Sequence, residues 1–193
     1  MGPQFSIIFI GDTHGFVNDF EKQEEIIEKI NPDFVLSENL QDISLDSKEK
    51  YGEILKTKKI SEMVSFTEVK DLIKLCYKKN IKLIGIDLRN FGFSKELQEK
   101  VKNNQNISDN EEKEISELLK KRERHQIDII KRFINKTKKP VVVILGSWHL
   151  REDSPIMTFF NNYKVIFPCD KNKRLLFEPP QKKEDVFYCE RIK

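Results

Sequence analysis

Four short apolar runs, each separated from the next by a stretch of helical spacing, constrain this chain most. They are QFSIIFIG (4–11), DFVLSEN (33–39), IKLIGIDL (81–88) and PVVVILG (140–146). None alternates strictly between apolar and polar residues, as a half-exposed strand would. A run that is apolar on both faces suits a strand covered on both sides, as in a parallel sheet. The intervening stretches repeat at the helical period. Residues 17–30 carry Phe20, Ile26, Ile27 and Ile30 as a partial stripe, with Asn18 or Asp19 as a cap. Residues 66–80 place Val69, Leu72, Ile73 and Cys76 on one face. Residues 108–136 open on Ser108 and Asp109, put acids in the first turn and read as one long helix. The alternation predicts an α/β fold, with a mainly parallel central sheet flanked by helices. Its strands are expected at 5–10, 33–38, 81–87 and 140–146. Residues 40–65 read as a loop with a short helix, and 89–108 as a second variable stretch. YKVIFP (163–168), RLLFEP (174–179) and VFYCERI (186–192) read as short C-terminal edge strands.

At 193 residues the simplest organisation is a single domain spanning 1–193. The 35 basic and 32 acidic side chains nearly cancel, which argues against a dedicated nucleic-acid binder. No apolar run is long enough to cross a membrane and the opening residues do not resemble a signal peptide, so a cytoplasmic protein is expected. The three cysteines, Cys76, Cys169 and Cys189, are widely spaced without a CxxC pair. They read as reduced thiols.

In an open α/β sheet, ligands bind outside the carboxyl ends of the strands. Strand one ends in Gly11-Asp12-Thr13-His14 and strand two in Glu38-Asn39. The third ends in Asp87, and the fourth in Gly146-Ser147-Trp148-His149. Two ends thus share a Gly-x-x-His pattern and use two of the chain's three histidines. Imidazole and carboxylate ligands suit a divalent ion such as Mn, Co or Zn. His14, Glu38 and His149 are the candidate metal ligands and candidate catalytic residues. Two histidines and one glutamate would leave a position open for water, whose pKa the ion lowers. Asp87 is expected to support the sheet edge.

GDTHG resembles the first block of calcineurin-like metallophosphoesterases. That likeness stops there, because their Gly-Asn-His block and further C-terminal histidines have no counterpart. A longer match covers residues 7–150. IGDTHG, FVLSENL, RERHQIDIIKRF and VVVILGSWHL resemble, in order, the pattern of the superfamily that includes Tiki proteases, TraB/PrgY proteins, erythromycin-esterase-like hydrolases and haem-binding ChaN proteins. In that likeness Glu123 and Arg124 match the Glu-Arg pair of the TraB-type helix. His125 stands where Asn or Asp is usual, and Asp12 where Thr or Glu is usual. The resemblance implies a metal-dependent hydrolase of peptide or ester bonds, with Arg124 stabilising developing negative charge. It also allows a metal-free variant with Glu38 or a histidine as general base. The alternatives are a haem- or ligand-binding ChaN-like protein and the phosphoesterase. A small molecule or a peptide is the expected partner, with no nucleic acid and no membrane; a homodimer is left open.

Overall fold

A computed structural model describes residues 5–13, 17–179 and 182–193. Seven strands form one sheet. They are β1 (Ile7–Asp12), β2 (Phe34–Ser37), β3 (Ser44–Leu45), β4 (Lys82–Gly85), β5 (Val141–Gly146), β6 (Tyr163–Cys169) and β7 (Phe187–Ile192). Their order across the sheet is β3-β4-β2-β5-β1-β6-β7. The pairings β4-β2, β2-β5, β5-β1 and β1-β6 are parallel, and only the outermost strands β3 and β7 run antiparallel to their neighbours. All four predicted strands lie in this sheet and run parallel to one another.

Burial explains the apolar runs. On β1, Ile7 and Phe9 enter one core cluster while Ile8 and Ile10 enter the other. β5 divides in the same way, with Val141, Val143 and Leu145 on one side and Val142 and Ile144 on the other. Every residue of β5 is buried. One face is covered by α5 (Asp109–Ile134) and α6 (Pro155–Phe159), through Ile127, Ile130, Ile156 and Met157. The opposite face is covered by α1 (Val17–Ile30), α2 (Lys48–Thr57) and α3 (Phe66–Lys79), through Ile27, Tyr51, Leu72 and Ile73. A short α4 (Lys95–Lys102) fills the second variable stretch. The start of α5 is fixed by a capping box. Ser108 accepts from the Glu111 amide while the Glu111 carboxylate accepts from the Ser108 amide.

Three expectations are corrected. YKVIFP is not an edge: β6 sits beside β1 and buries nearly its whole length, because β7 folds back along its outer side. RLLFEP forms only an isolated bridge, Leu175 to Cys169. Cys169 and Cys189 are joined by a disulfide, while Cys76 is free and buried. Antiparallel pairing of β6 with β7 brings the two Cα atoms to 6.0 Å, within bridging distance. Among the described residues no helix is long and apolar enough to cross a membrane.

Candidate functional site

The polar residues at the strand ends divide between the two faces of the sheet's carboxyl edge. Glu38 and His149 meet on the α5 face. Glu38 follows β2 directly and is buried. Its Oε1 accepts a 2.7 Å hydrogen bond from the amide of Gly146, the last residue of β5. A short 3-10 turn over Ser147–Leu150 then places the imidazole of His149 against it, with Nε2 3.4 Å from Glu38 Oε2. The other ring nitrogen, Nδ1, lies 2.9 Å from Glu123 Oε1 on α5. The Ser154 hydroxyl donates to the His149 carbonyl at 2.7 Å and fixes the turn from below. His149 is only 4% exposed.

Electrostatics favours the charged imidazole. Burial alone would push its pKa down. The Glu38 charge and the hydrogen bond to Glu123 outweigh that effect, against some opposition from Arg122, and the pKa is raised. A carboxylate behind one ring nitrogen is also the arrangement that orients a metal-ligating histidine.

Behind this pair lies a second buried cluster. Arg122 grips Asp87 through Nε and a 2.6 Å bond from Nη2, and Gln126 donates to the same carboxylate at 2.8 Å. Burial works against the Arg122 charge, but Asp87 overcomes it and raises the arginine's pKa. The Phe91 ring stacks on the guanidinium at 4.7 Å. Asp87 thus supports the sheet edge, as expected.

The expectation for Arg124 is corrected. It is exposed on α5, alongside Lys120, Lys121, Asp128 and Lys131. Arg122 and Glu123 are the residues that turn inward. A signal was present in the sequence. Leu119, Arg122, Gln126 and Ile130 recur at helical spacing on one stripe, and Glu123, Ile127, Ile130 and Ile134 on its neighbour. Arg124 fits neither. His125 is half-buried on the same helix.

His14 lies outside the described residues. Among those described, no group of three or more His, Cys, Asp or Glu side chains is arranged to hold a metal ion. Of the three expected ligands, Glu38 and His149 are together.

Beside His149 the surface is aromatic. Trp148 is 51% exposed and Phe177 45% exposed, with ring centroids 5.4 Å apart. The Arg151 guanidinium stacks 3.8 Å from the Trp148 ring centre. Sequence reasoning passed over this surface.

No protein-family model matches the chain, and no curated protein matches it. A solved structure of ChaN of Campylobacter jejuni, described with cofacial haem binding to that protein, superposes with a TM-score of 0.50 at 14% identity. The match covers 84% of this chain and 80% of that one. The fold is therefore ChaN-like, and the likeness is one of fold.

Proposed function

We propose that this chain is a ChaN-like binding protein whose carboxyl-edge surface takes a planar, anionic aromatic ligand of the haem class. The observation that carries the reading is the half-exposed Trp148–Phe177 pair with Arg151 laid over it, beside His149. Flat aromatic rings stack favourably on such a pair, and an arginine next to it suits a carboxylate such as a haem propionate. The related fold of a haem-binding protein points the same way. His149 is committed to two glutamates and is buried, so the reading rests on stacking and ionic contacts rather than on an iron–histidine bond.

Trp148 is the chain's only tryptophan, so its fluorescence reports on this surface directly. Titration with haemin, and separately with metal-free protoporphyrin IX, is expected to quench it saturably. Phe177→Ala and Arg151→Ala should each weaken binding roughly tenfold, the scale of one aromatic or charge-assisted contact. Unsaturable quenching, or unchanged affinity in both variants, would overturn the reading.

A hydrolase that uses a bound divalent ion or a general base is the second reading. One observation favours it: the 3.4 Å approach of His149 Nε2 to Glu38 Oε2, with Glu123 behind the opposite nitrogen. Two ligands of one ion lie at about such a separation, and a glutamate so placed can also take a proton from water. Metal analysis of the purified protein, with hydrolysis assays on peptide, ester and phosphoester panels, tests it. His149→Ala is expected to remove any activity found by a factor of about 100 or more. Near-full activity in that variant would exclude this reading.

A further inference from the structure

On the opposite face of the same sheet edge lies a crevice of about 510 Å³, between α1, α3 and the ends of β1 and β2. We propose that it is a second ligand site, for a small organic cation with an apolar body, such as an alkylammonium.

Three observations carry this. The first is an orphaned hydroxyl. Ser37 lines the crevice, is 0% exposed, and its Oγ has no hydrogen-bond partner among the described residues. The β2 backbone at Ser37 is flanked by β4 on one side and β5 on the other, so what it offers the crevice is its side chain. That side chain shares the face of Val35, toward α1 and α3. A buried hydroxyl without a partner costs stability. A bound hydrogen-bonding group would remove that cost.

The second observation is charge. Among the described residues, Asp12, Asp19, Glu68 and Asp71 line the crevice with one lining cation, Lys70, and Asp71 is also paired with Lys74 at 3.5 Å. Asn39 donates to Asp12 at 3.0 Å and holds that carboxylate at the wall. Asp19 contributes charge alone, because Thr13 and Tyr188 already occupy its oxygens. The excess of carboxylates favours a cation and disfavours an anion.

The third is the wall itself. Phe20, Val69, Leu72 and Ile144 supply an apolar surface next to these polar groups. A metal ion would have no use for that surface, whereas an alkyl chain would bury against it.

The test uses the full chain, isotope-labelled, and follows amide shifts during titration with hexylammonium, 1-hexanol and hexanoate. Hexylammonium is expected to give saturable shifts centred on Ser37, Asn39 and Leu72. Hexanol should bind roughly tenfold more weakly, and hexanoate should give no saturable shift. Ser37→Ala should weaken hexylammonium binding roughly three- to tenfold, the worth of one hydrogen bond, while thermal stability is unchanged or higher. Asp12→Asn should weaken it to a similar degree. Hexanoate binding as tightly as the amine, shifts centred away from the crevice, or unchanged affinity in both variants would each overturn the proposal. Ser37→Ala should leave porphyrin quenching of Trp148 untouched, so this site and the aromatic surface succeed or fail separately.

Discussion

His149 illustrates how much one side chain can depend on its neighbours. Buried alone, it would be neutral; held between Glu38 and Glu123, it keeps its proton to a higher pH than the ordinary value of 6.5. Because the folded-state pKa is raised, its contribution to stability is full below about pH 6.5. That contribution is lost as pH rises through the folded value. Proton NMR of the metal-free protein should therefore place the His149 midpoint above 6.5, and Glu123→Gln should bring it down. A midpoint below 6.5 would contradict the two-carboxylate environment. Arg122 and Arg124 make a second contrast, two residues apart on one helix. Asp87→Ala would strand the buried Arg122 charge and should cost about 3–5 kcal/mol in urea denaturation. Arg124→Ala, on the exposed face, should stay within about 0.5 kcal/mol of wild type. Equal costs would mean that α5 presents the other face.

Among the elements, those buried on both sides were the ones the sequence made legible. β1, β2, β4 and β5 each sit between two helical layers, so their apolar runs are continuous and their ends mark the sheet edge. The position of Glu38 and His149 followed from those ends. Less was legible where a partner distant in sequence decides the outcome. Residues 163–168 looked like an edge because nothing local announces that β7 returns to cover them. The same pairing hid the disulfide, since Cys169 and Cys189 are 20 residues apart and become neighbours only through strand register. Arg124 was misassigned for a different reason. A short motif includes Arg124, but the helical period puts Arg122 on the buried stripe and Arg124 on the exposed face. The disulfide gives a direct check on thiols. Denatured without reductant, the chain should show one reactive thiol, Cys76, and three after reduction. In the native state Cys76 should react slowly, because burial pushes its pKa up to about 12. Three thiols without reductant would remove the bridge. Gly85 supplies a further check on how closely β4 is packed. A Cβ there would fall on the Gln41 carbonyl oxygen, so Gly85→Ala should cost about 1–3 kcal/mol or more in thermal or urea unfolding. A neutral effect would show that the loop after β2 gives way.

For the molecule as a whole, stability should fall from the middle of the sheet outward. β5 is buried along its entire length between β2 and β1, so its amides are expected to exchange with solvent only when the whole chain unfolds. β3 is two residues long, and β7 is a partly exposed edge; both should open by local fluctuation first. Beside its backbone ladder with β6 and the ion pairs Glu190–Lys164 and Arg191–Glu152, three fastenings hold β7 in place. They are the Cys169–Cys189 bridge, the Tyr188 hydroxyl donating to Asp19 at 2.6 Å, and Arg191 donating to the Leu150 carbonyl. Two of them reach the elements that frame the carboxyl edge: Asp19 begins α1, and Leu150 closes the turn that carries His149. Closing a loop of this size with a disulfide contributes about 3 kcal/mol in the chain-entropy picture. Reduction, or Cys189→Ser, should therefore lower global stability by about 2–4 kcal/mol. Its local effect should be larger near β7 than elsewhere. Hydrogen exchange followed by mass spectrometry can separate the two. After reduction, peptides from β7, the end of β6 and the first turn of α1 should exchange faster well before β5 changes. If reduction accelerates every strand equally, β7 is an integral part of the core rather than an edge strapped to it. If it accelerates none, the bridge contributes nothing to holding the edge.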